Sequence, residues 1–357
     1  MLGSYNTETG GFYATVEIAG LHAFAAADHG HELLVLDVSN PSAPTLAARV
    51  GFSAAVNGLS AQGDAAYETT GSEVRVLDLS NPAQPTEVGR YPSAGSTAHV
   101  AGGRLIVSAG YEVPPDNLEG FWDLMDVSDP RNPRLLHHED TPAYIVQAKV
   151  AGNRAWFLQE QGSTSSNSKQ FQVIDLTDTA NPVPLGTCIL TNIDCQPLDF
   201  EVTGQYAYVA DGANGLLVVD FSDAAHPAQT ATVPLLDCTR VRVAGRYAYV
   251  ACRGWNEDAL EFRTHLQVLD LINPAHPAKV AVCDLPIDSV PMDLCLAETY
   301  ALLALGDAGM HVIDIGNPLS PAPVATYVRK GYPASAIQAV GTTRSVCWKA
   351  VGCRCLN

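Results

Sequence analysis

The chain has 357 residues, 47% hydrophobic and only 16% charged, a composition that excludes wholesale disorder. Its formal charge of −18 argues against nucleic acid and anionic membrane surfaces as partners, because phosphate groups repel it. The 29 glycines and 23 prolines weigh against helix and favour strands joined by turns.

The N-terminal stretch Met1 to Glu8 has neither a basic segment nor an apolar one, so it is not read as a signal peptide. No apolar run along the chain approaches the roughly eighteen residues that a membrane-spanning helix needs. The first clear element is a hairpin, Ile18-Ala-Gly-Leu-His-Ala-Phe-Ala-Ala26, in which two apolar runs flank a Gly-x turn. An apolar strand follows, Leu33-Leu-Val-Leu-Asp37, and runs into Val-Ser-Asn-Pro41-Ser-Ala-Pro44.

This strand, aspartate and proline turn then recur. They return at Asp78 with Pro82 and Pro85, and at Asp126 with Pro130 and Pro133. Asp175 keeps only Pro182, and Asp220 only Pro227. Asp270 has Pro274 and Pro277, and Asp314 has Pro318 and Pro321. The mean spacing of the seven aspartates is about 46 residues. The hairpin recurs between them, most clearly as Val202-Thr-Gly-Gln-Tyr-Ala-Tyr-Val-Ala210 and Val243-Ala-Gly-Arg-Tyr-Ala-Tyr-Val-Ala251. Each unit therefore holds four strands: a and b form the hairpin, c ends in the aspartate, and d follows the prolines. Four strands at this period predict an all-β propeller in a single domain spanning 1–357.

The strand and its Ser-Asn-Pro turn resemble the LVIVD-repeat propellers of bacteria and archaea over nearly the whole chain. The resemblance implies a propeller on an extracellular or cell-envelope protein. The absence of a leader keeps a cytoplasmic location as the alternative. The family carries no assigned chemistry, so the resemblance implies no catalytic residues.

The chain ends bear on ring closure. Leu2-Gly-Ser-Tyr5 is patterned like the d strand Val88-Gly-Arg-Tyr91, and Ala336-Ile-Gln-Ala-Val-Gly341 like an a strand. A closing blade built from residues 1–13 and 330–357 would give eight blades, favoured over seven, and would leave no open edge.

The repeated aspartates are read as turn residues that accept nearby backbone N–H groups, not as catalytic groups. Chemistry is sought instead on the a strands, innermost in a propeller. One polar column holds Glu17, Ser60, His99, Lys149, Glu201, Arg242, Cys295 and Gln338. A second, two residues earlier, includes Gln147, Asp199, Arg240 and Asp293. Period-two alternation puts both columns on one face. Alternating charge predicts ion pairs between neighbouring blades, or a polar channel mouth that binds a small polar ligand through Lys149, Asp199, Glu201, Arg240 and Arg242. Long b–c connections, Ala109 to Gly120, Gln159 to Gln170 and Cys252 onward, offer Tyr111, Arg253 and Trp255 as contact residues.

The nine cysteines all lie between Cys188 and Cys355 and are read mainly as small buried hydrophobes, although Cys188 and Cys195 could bridge a loop in an exported protein. No cysteine or histidine spacing builds a metal site, and neither a metal nor a cofactor is expected. The leading reading is a monomeric, non-enzymatic scaffold that recognises a protein, peptide or glycan through its loop-rich face. The alternative is a lyase, isomerase or hydrolase at the channel mouth, with His99, Glu201, Cys238 and Arg240 as its catalytic set.

Overall fold

The computed structural model describes residues 12–19, 22–28, 32–37, 45–51, 56–81, 84–114, 116–163, 167–190, 198–256, 260–291, 293–297, 299–305, 308, 310–327, 334–340, 343–348 and 353–356. Among these residues there is no helix. Eight antiparallel sheets follow one another along the chain. They span 12–51, 56–91, 97–141, 143–189, 199–233, 238–285, 293–327 and 334–356. The first seven have four strands and the eighth has three. In every sheet the strands lie side by side in chain order. The predicted d strand at Leu2 to Tyr5 lies outside the described residues, so the eighth sheet is seen as a, b and c only.

The a strands are Phe12–Ala19, Val56–Gln62, Thr97–Ala101, Ala143–Ala151, Asp199–Thr203, Cys238–Ala244, Asp293–Ala297 and Ala334–Val340. Each packs beside the a strand of the next sheet, and that of the eighth packs against that of the first. The core lies between neighbouring sheets. Trp156, Leu158, Phe171 and Val173 of the fourth sheet interdigitate with Phe200, Val209, Leu217 and Phe221 of the fifth. Phe171 and Phe200 meet edge to face, at 5.7 Å between ring centres and 85°.

Two local devices repeat. In all seven four-stranded sheets the register slips between strands c and d just before the aspartate, as between Val76 and Leu77 or Val218 and Val219. Such bulges increase strand twist. The aspartates then close their turns: Asp78, Asp126, Asp175, Asp220, Asp270 and Asp314 each accept the N–H of the residue two further on, at 2.7–3.0 Å. The turn after Asp37 lies outside the described residues. Side-chain and backbone donors of Ser128, with Arg134, pull the Asp126 carboxyl down to about 2.

The long b–c connections are not loops. Their strands extend into paired arms: Arg104–Val113 with Asn117–Asp126, Arg154–Gly162 with Asn167–Asp175, and Tyr247–Asn256 with Glu261–Asp270. The corresponding strands of the fifth sheet, Tyr206–Ala210 and Leu216–Asp220, have five residues each. The ladder continues because residues such as Tyr111 and Glu119, or Gln159 and Gln170, fall opposite each other in register. The Ser-rich stretch therefore runs largely in a ladder, out to the pair Gly162 and Asn167.

Candidate functional site

The a-strand side chains form a belt that links successive sheets. Lys149 of the fourth sheet pairs with Glu201 of the fifth at 3.0 Å, and its ammonium sits 5.2 Å from the Phe200 ring centre. Asp199 of the fifth sheet meets Arg242 of the sixth at 2.5 Å. The alternating charges predict pairs within each column. The second pair instead runs diagonally, from one column to the other, because Arg240 turns back and donates to the Thr239 carbonyl at 2.7 Å. Among the described residues Arg240 pairs with no carboxylate.

Burial alone would raise the Asp199 carboxyl, but Arg242, Lys149 and Arg240 outweigh it and hold Asp199 below the usual carboxylate range. For His99, burial and then the Lys149 charge push the imidazole down to about 4. Its Nδ1 accepts the Val150 N–H at 3.2 Å. That leaves a neutral ring with its acceptor nitrogen already used, a poor starting point for a general base at neutral pH. The structure thus brings His99, Lys149, Asp199, Glu201, Arg240 and Arg242 onto one belt, and all of them but Arg240 bond to a neighbouring sheet. The side chains of Cys295 and Asp293, in the seventh sheet, lie outside what is described.

Cys238 does not open onto the belt with a free thiol. It is fully buried, with its Sγ 2.7 Å from Cys252 Sγ. Cys188 is buried too, and Cys195 lies outside the described residues. No cluster of potential metal ligands occurs among the described residues. Of the histidines that stand near carboxylates in the sequence, His138 meets Asp123 at 2.6 Å and His137 packs on Trp122, while His29 and His31 lie outside the described residues.

A different surface has the character of a binding site. The b–c arm of the sixth sheet carries Trp255 and Phe262, both exposed and packed edge to face at 5.3 Å. Leu236, from the connection into the sixth sheet, is 52% exposed beside them. These connections meet because d–a and b–c segments emerge at the same end of the sheets. Between them lies a cleft of ≈ 340 Å³, lined by Leu236, Trp255, His265 and Val282, with Arg263 and Lys279 at its sides. Lys279 also reaches the Pro234 carbonyl and ties the fifth sheet's exit to the sixth. Arg253 is held beneath, 4.3 Å from the Phe262 ring centre and 2.5 Å from Asp288. It therefore shapes the cleft without lining it. Tyr111 is exposed on the arm of the third sheet, away from this cleft. Leu236, Phe262 and Val282 went unnoticed in the sequence, since a single exposed apolar residue in a strand pattern carries no signal. The sequence spacing of Trp255 and Phe262, aromatic on either side of the polar Asn256-Glu-Asp258, could have flagged the arm.

A ring of sequential four-stranded antiparallel sheets is a propeller-type fold, and solved structures agree. The computationally designed protein Ika8 is similar at 11% identity and a TM-score of 0.71, covering 99% of this chain and 100% of that one. Sqt1 from Chaetomium thermophilum, solved bound to the N-terminus of the ribosomal protein L10, is similar at 13% identity and a TM-score of 0.69, covering 99% and 98%. A protein from Lactobacillus plantarum is similar at 12% identity and a TM-score of 0.60, covering 100% of both chains. No curated protein sequence matches this chain. The LVIVD repeat matches residues 14–51, 55–93, 198–233, 237–284 and 291–328, more than half of the chain, and the chain belongs to that family. The third and fourth sheets, which the family match passes over, keep the same strand order with longer arms.

Proposed function

We propose that the chain is an interaction scaffold: an eight-bladed ring, its last blade completed by the N-terminal segment, that binds an extended peptide of a partner protein in the cleft beside Trp255. The observation that carries this reading is the contrast between belt and cleft. The belt's charges are largely consumed by sheet-to-sheet pairs. The cleft instead leaves Trp255 and Leu236 exposed, with Phe262 against Trp255 on the same arm. Its cations, Arg263 at 2.8 Å from Glu261 and Lys279 on the Pro234 carbonyl, stand beside Asp284, on a protein of net charge −18. Aromatic residues with nearby arginine are the usual energetic centre of protein interfaces. The chemistry fits a segment with an apolar anchor and an adjacent carboxylate, the anchor against Trp255 and the carboxylate towards Arg263 and Lys279. A similar fold holding a protein N-terminus, in Sqt1, supports a peptide partner. The family resemblance favours an extracellular or cell-envelope setting.

Panning a displayed peptide library on the purified protein tests this. Selected peptides should carry an aromatic or aliphatic residue near Asp or Glu, and should lose at least tenfold in affinity against Trp255→Ala. A library that enriches nothing, or peptides that bind Trp255→Ala equally well, would remove the cleft as the recognition site.

A further inference from the structure

Cys238 begins the a strand of the sixth sheet, and Cys252 lies directly opposite on strand b. Their sulfurs stand 2.7 Å apart. Heavy atoms that only touch prefer about 3.5–4.0 Å, so these two are pressed well inside ordinary contact. The backbone explains how they come so close. The Cys238 N–H and C=O both bond to Gly212, at 2.8 and 2.9 Å, and neither is directed at Cys252. The two cysteines thus form a non-hydrogen-bonded cross-strand pair, the kind whose Cα atoms approach to about 4.5 Å. That lies within the roughly 4.4–6.8 Å that disulfides span. Both side chains are fully buried, among Tyr208, Leu235 and Val250. Cys283 of the same sheet packs in a different cluster, against Leu294 and Leu303 of the seventh sheet, and Cys188 belongs to the fourth and fifth. Among the described residues each of the pair has the other as its only cysteine neighbour.

We propose that Cys238 and Cys252 form an intramolecular disulfide when the protein folds in an oxidising environment. The oxidant is a disulfide, either a small-molecule one or that of a thiol–disulfide oxidoreductase. One cysteine thiolate attacks a sulfur of the oxidant and expels one thiolate, leaving a mixed disulfide. The second thiolate attacks the protein sulfur of that intermediate and expels the other. In sum two protein thiols lose two protons and two electrons, and the oxidant becomes two thiols. Burial, and then the neighbouring Cys238 sulfur, push the Cys252 thiol well up, so little thiolate exists once the sheet has closed. Bond formation therefore belongs to folding, and the finished bond resists later reduction. It fastens strand a to strand b next to Arg240, and through the Gly212 bonds it steadies the contact between the fifth and sixth sheets.

The experiment is disulfide mapping of the full chain refolded in a glutathione redox buffer, denatured in N-ethylmaleimide without reductant and digested with trypsin. Arg240, Arg242 and Arg246 separate the two cysteines onto different tryptic peptides, and a second digestion with Asp-N, which cuts before Asp237, frees Cys238 from Cys188 and Cys195. The expected product is one linked pair, lighter by two hydrogens than the two free-thiol peptides, that separates on reduction. Either cysteine alkylated, or linked to any other thiol, overturns the proposal. Thermal unfolding gives a second readout. The midpoint of the oxidised wild type should fall when it is melted in a phosphine reductant, and that of a Cys238→Ala/Cys252→Ala variant should not. A wild type whose linked peptides are absent and whose midpoint ignores reductant also overturns it.

Discussion

Asp199 of the fifth sheet grips the sixth twice: one carboxylate oxygen accepts both Arg242 Nη1, at 2.5 Å, and the Val241 N–H, at 3.1 Å. The backbone half of this grip repeats round part of the ring. Ser60 accepts the Val100 N–H, His99 the Val150 N–H, and Gln147 the Phe200 N–H, at 3.2–3.3 Å. In each case a polar a-strand side chain satisfies an N–H of the following sheet, one position past the aligned residue. Sheet edges that would otherwise meet only through side-chain packing are thereby stitched at their inner ends.

Removing the guanidinium should expose what it balances. Arg242→Ala leaves a carboxylate that is 3% exposed with only the Val241 N–H. The cost at neutral pH should be roughly 2–3 kcal/mol, below the ~3–5 kcal/mol of a wholly buried pair because Arg242 itself is partly solvated. The Asp199 carboxyl lies below its unfolded value, so its contribution is present above about pH 4 and is lost as pH falls through the folded value. The gap between wild type and Arg242→Ala in urea melts should therefore be largest at pH 7 and should shrink by pH 3. A gap independent of pH would mean that Arg242 stabilises by packing alone.

His99 gives a pH dependence of its own. Its folded value of about 4 lies below the ~6.5 of an unfolded histidine, so the unfolded state binds the extra proton first. Stability is whole above pH 6.5 and falls as the pH drops towards 4, by roughly 3 kcal/mol in all. Asn can offer its side-chain oxygen to the Val150 N–H but cannot titrate. His99→Asn should therefore lose less stability than wild type between pH 7 and 4. Parallel curves for the two proteins would contradict the placement of a buried neutral ring.

Much of this was legible in the sequence. Asp78, Asp126 and their repeats announce the c–d turns, because a carboxylate ahead of Ser-Asn-Pro has amides to accept and few other partners. The alternating charges of Lys149, Glu201 and Arg242 announce contacts between sheets. What was not legible depends on offsets between sheets that periodicity does not encode. The diagonal Asp199–Arg242 pair and the stitched N–H groups arise from a one-residue stagger. The cleft at Trp255 needs Leu236 and Val282, some 46 residues apart in sequence, to line one space. The arms on the third, fourth and sixth sheets read as loops because polar residues such as Gln159, Gln161 and Gln170 hide a ladder, although Gln159 and Gln170 are buried in it.

Gly186 marks a close approach that has no such substitute. A Cβ there would stand 2.5 Å from the Ala225 carbonyl oxygen and 2.6 Å from that of Ala224, both in the turn of the next sheet. Gly89 meets the Pro130 carbonyl in the same way two repeats earlier. Gly186→Ala should therefore push the fourth and fifth sheets apart and cost about 1–3 kcal/mol or more. Gly204→Ala serves as the comparison: its φ is +58° but nothing lies within 4 Å, so only backbone strain of about 1 kcal/mol is expected. Equal losses in chemical denaturation would mean that the sheet contact at Gly186 yields freely.

Glu68 carries the opposite pH signature to His99. It is fully buried on strand b of the second sheet, opposite Arg75, and neither of its carboxyl oxygens has a hydrogen bond. The Arg75 Nε instead donates to Glu73 at 2.7 Å. Burial raises Glu68 to about 8, only partly offset by Arg75. Since the folded value exceeds the unfolded ~4.3, the folded protein keeps Glu68 neutral up to about pH 8, and its stability is whole below the unfolded value and lost as the pH rises to the folded one. Glu68→Gln keeps the shape and removes the proton. Its stability relative to wild type should grow between pH 4.5 and 8, with a slope of at most about 1.4 kcal/mol per pH unit, and level off above. Urea melts of both proteins at pH 5, 7 and 9 measure this directly. A variant less stable than wild type at pH 9 would show that the Glu68 carboxylate has a partner holding it charged.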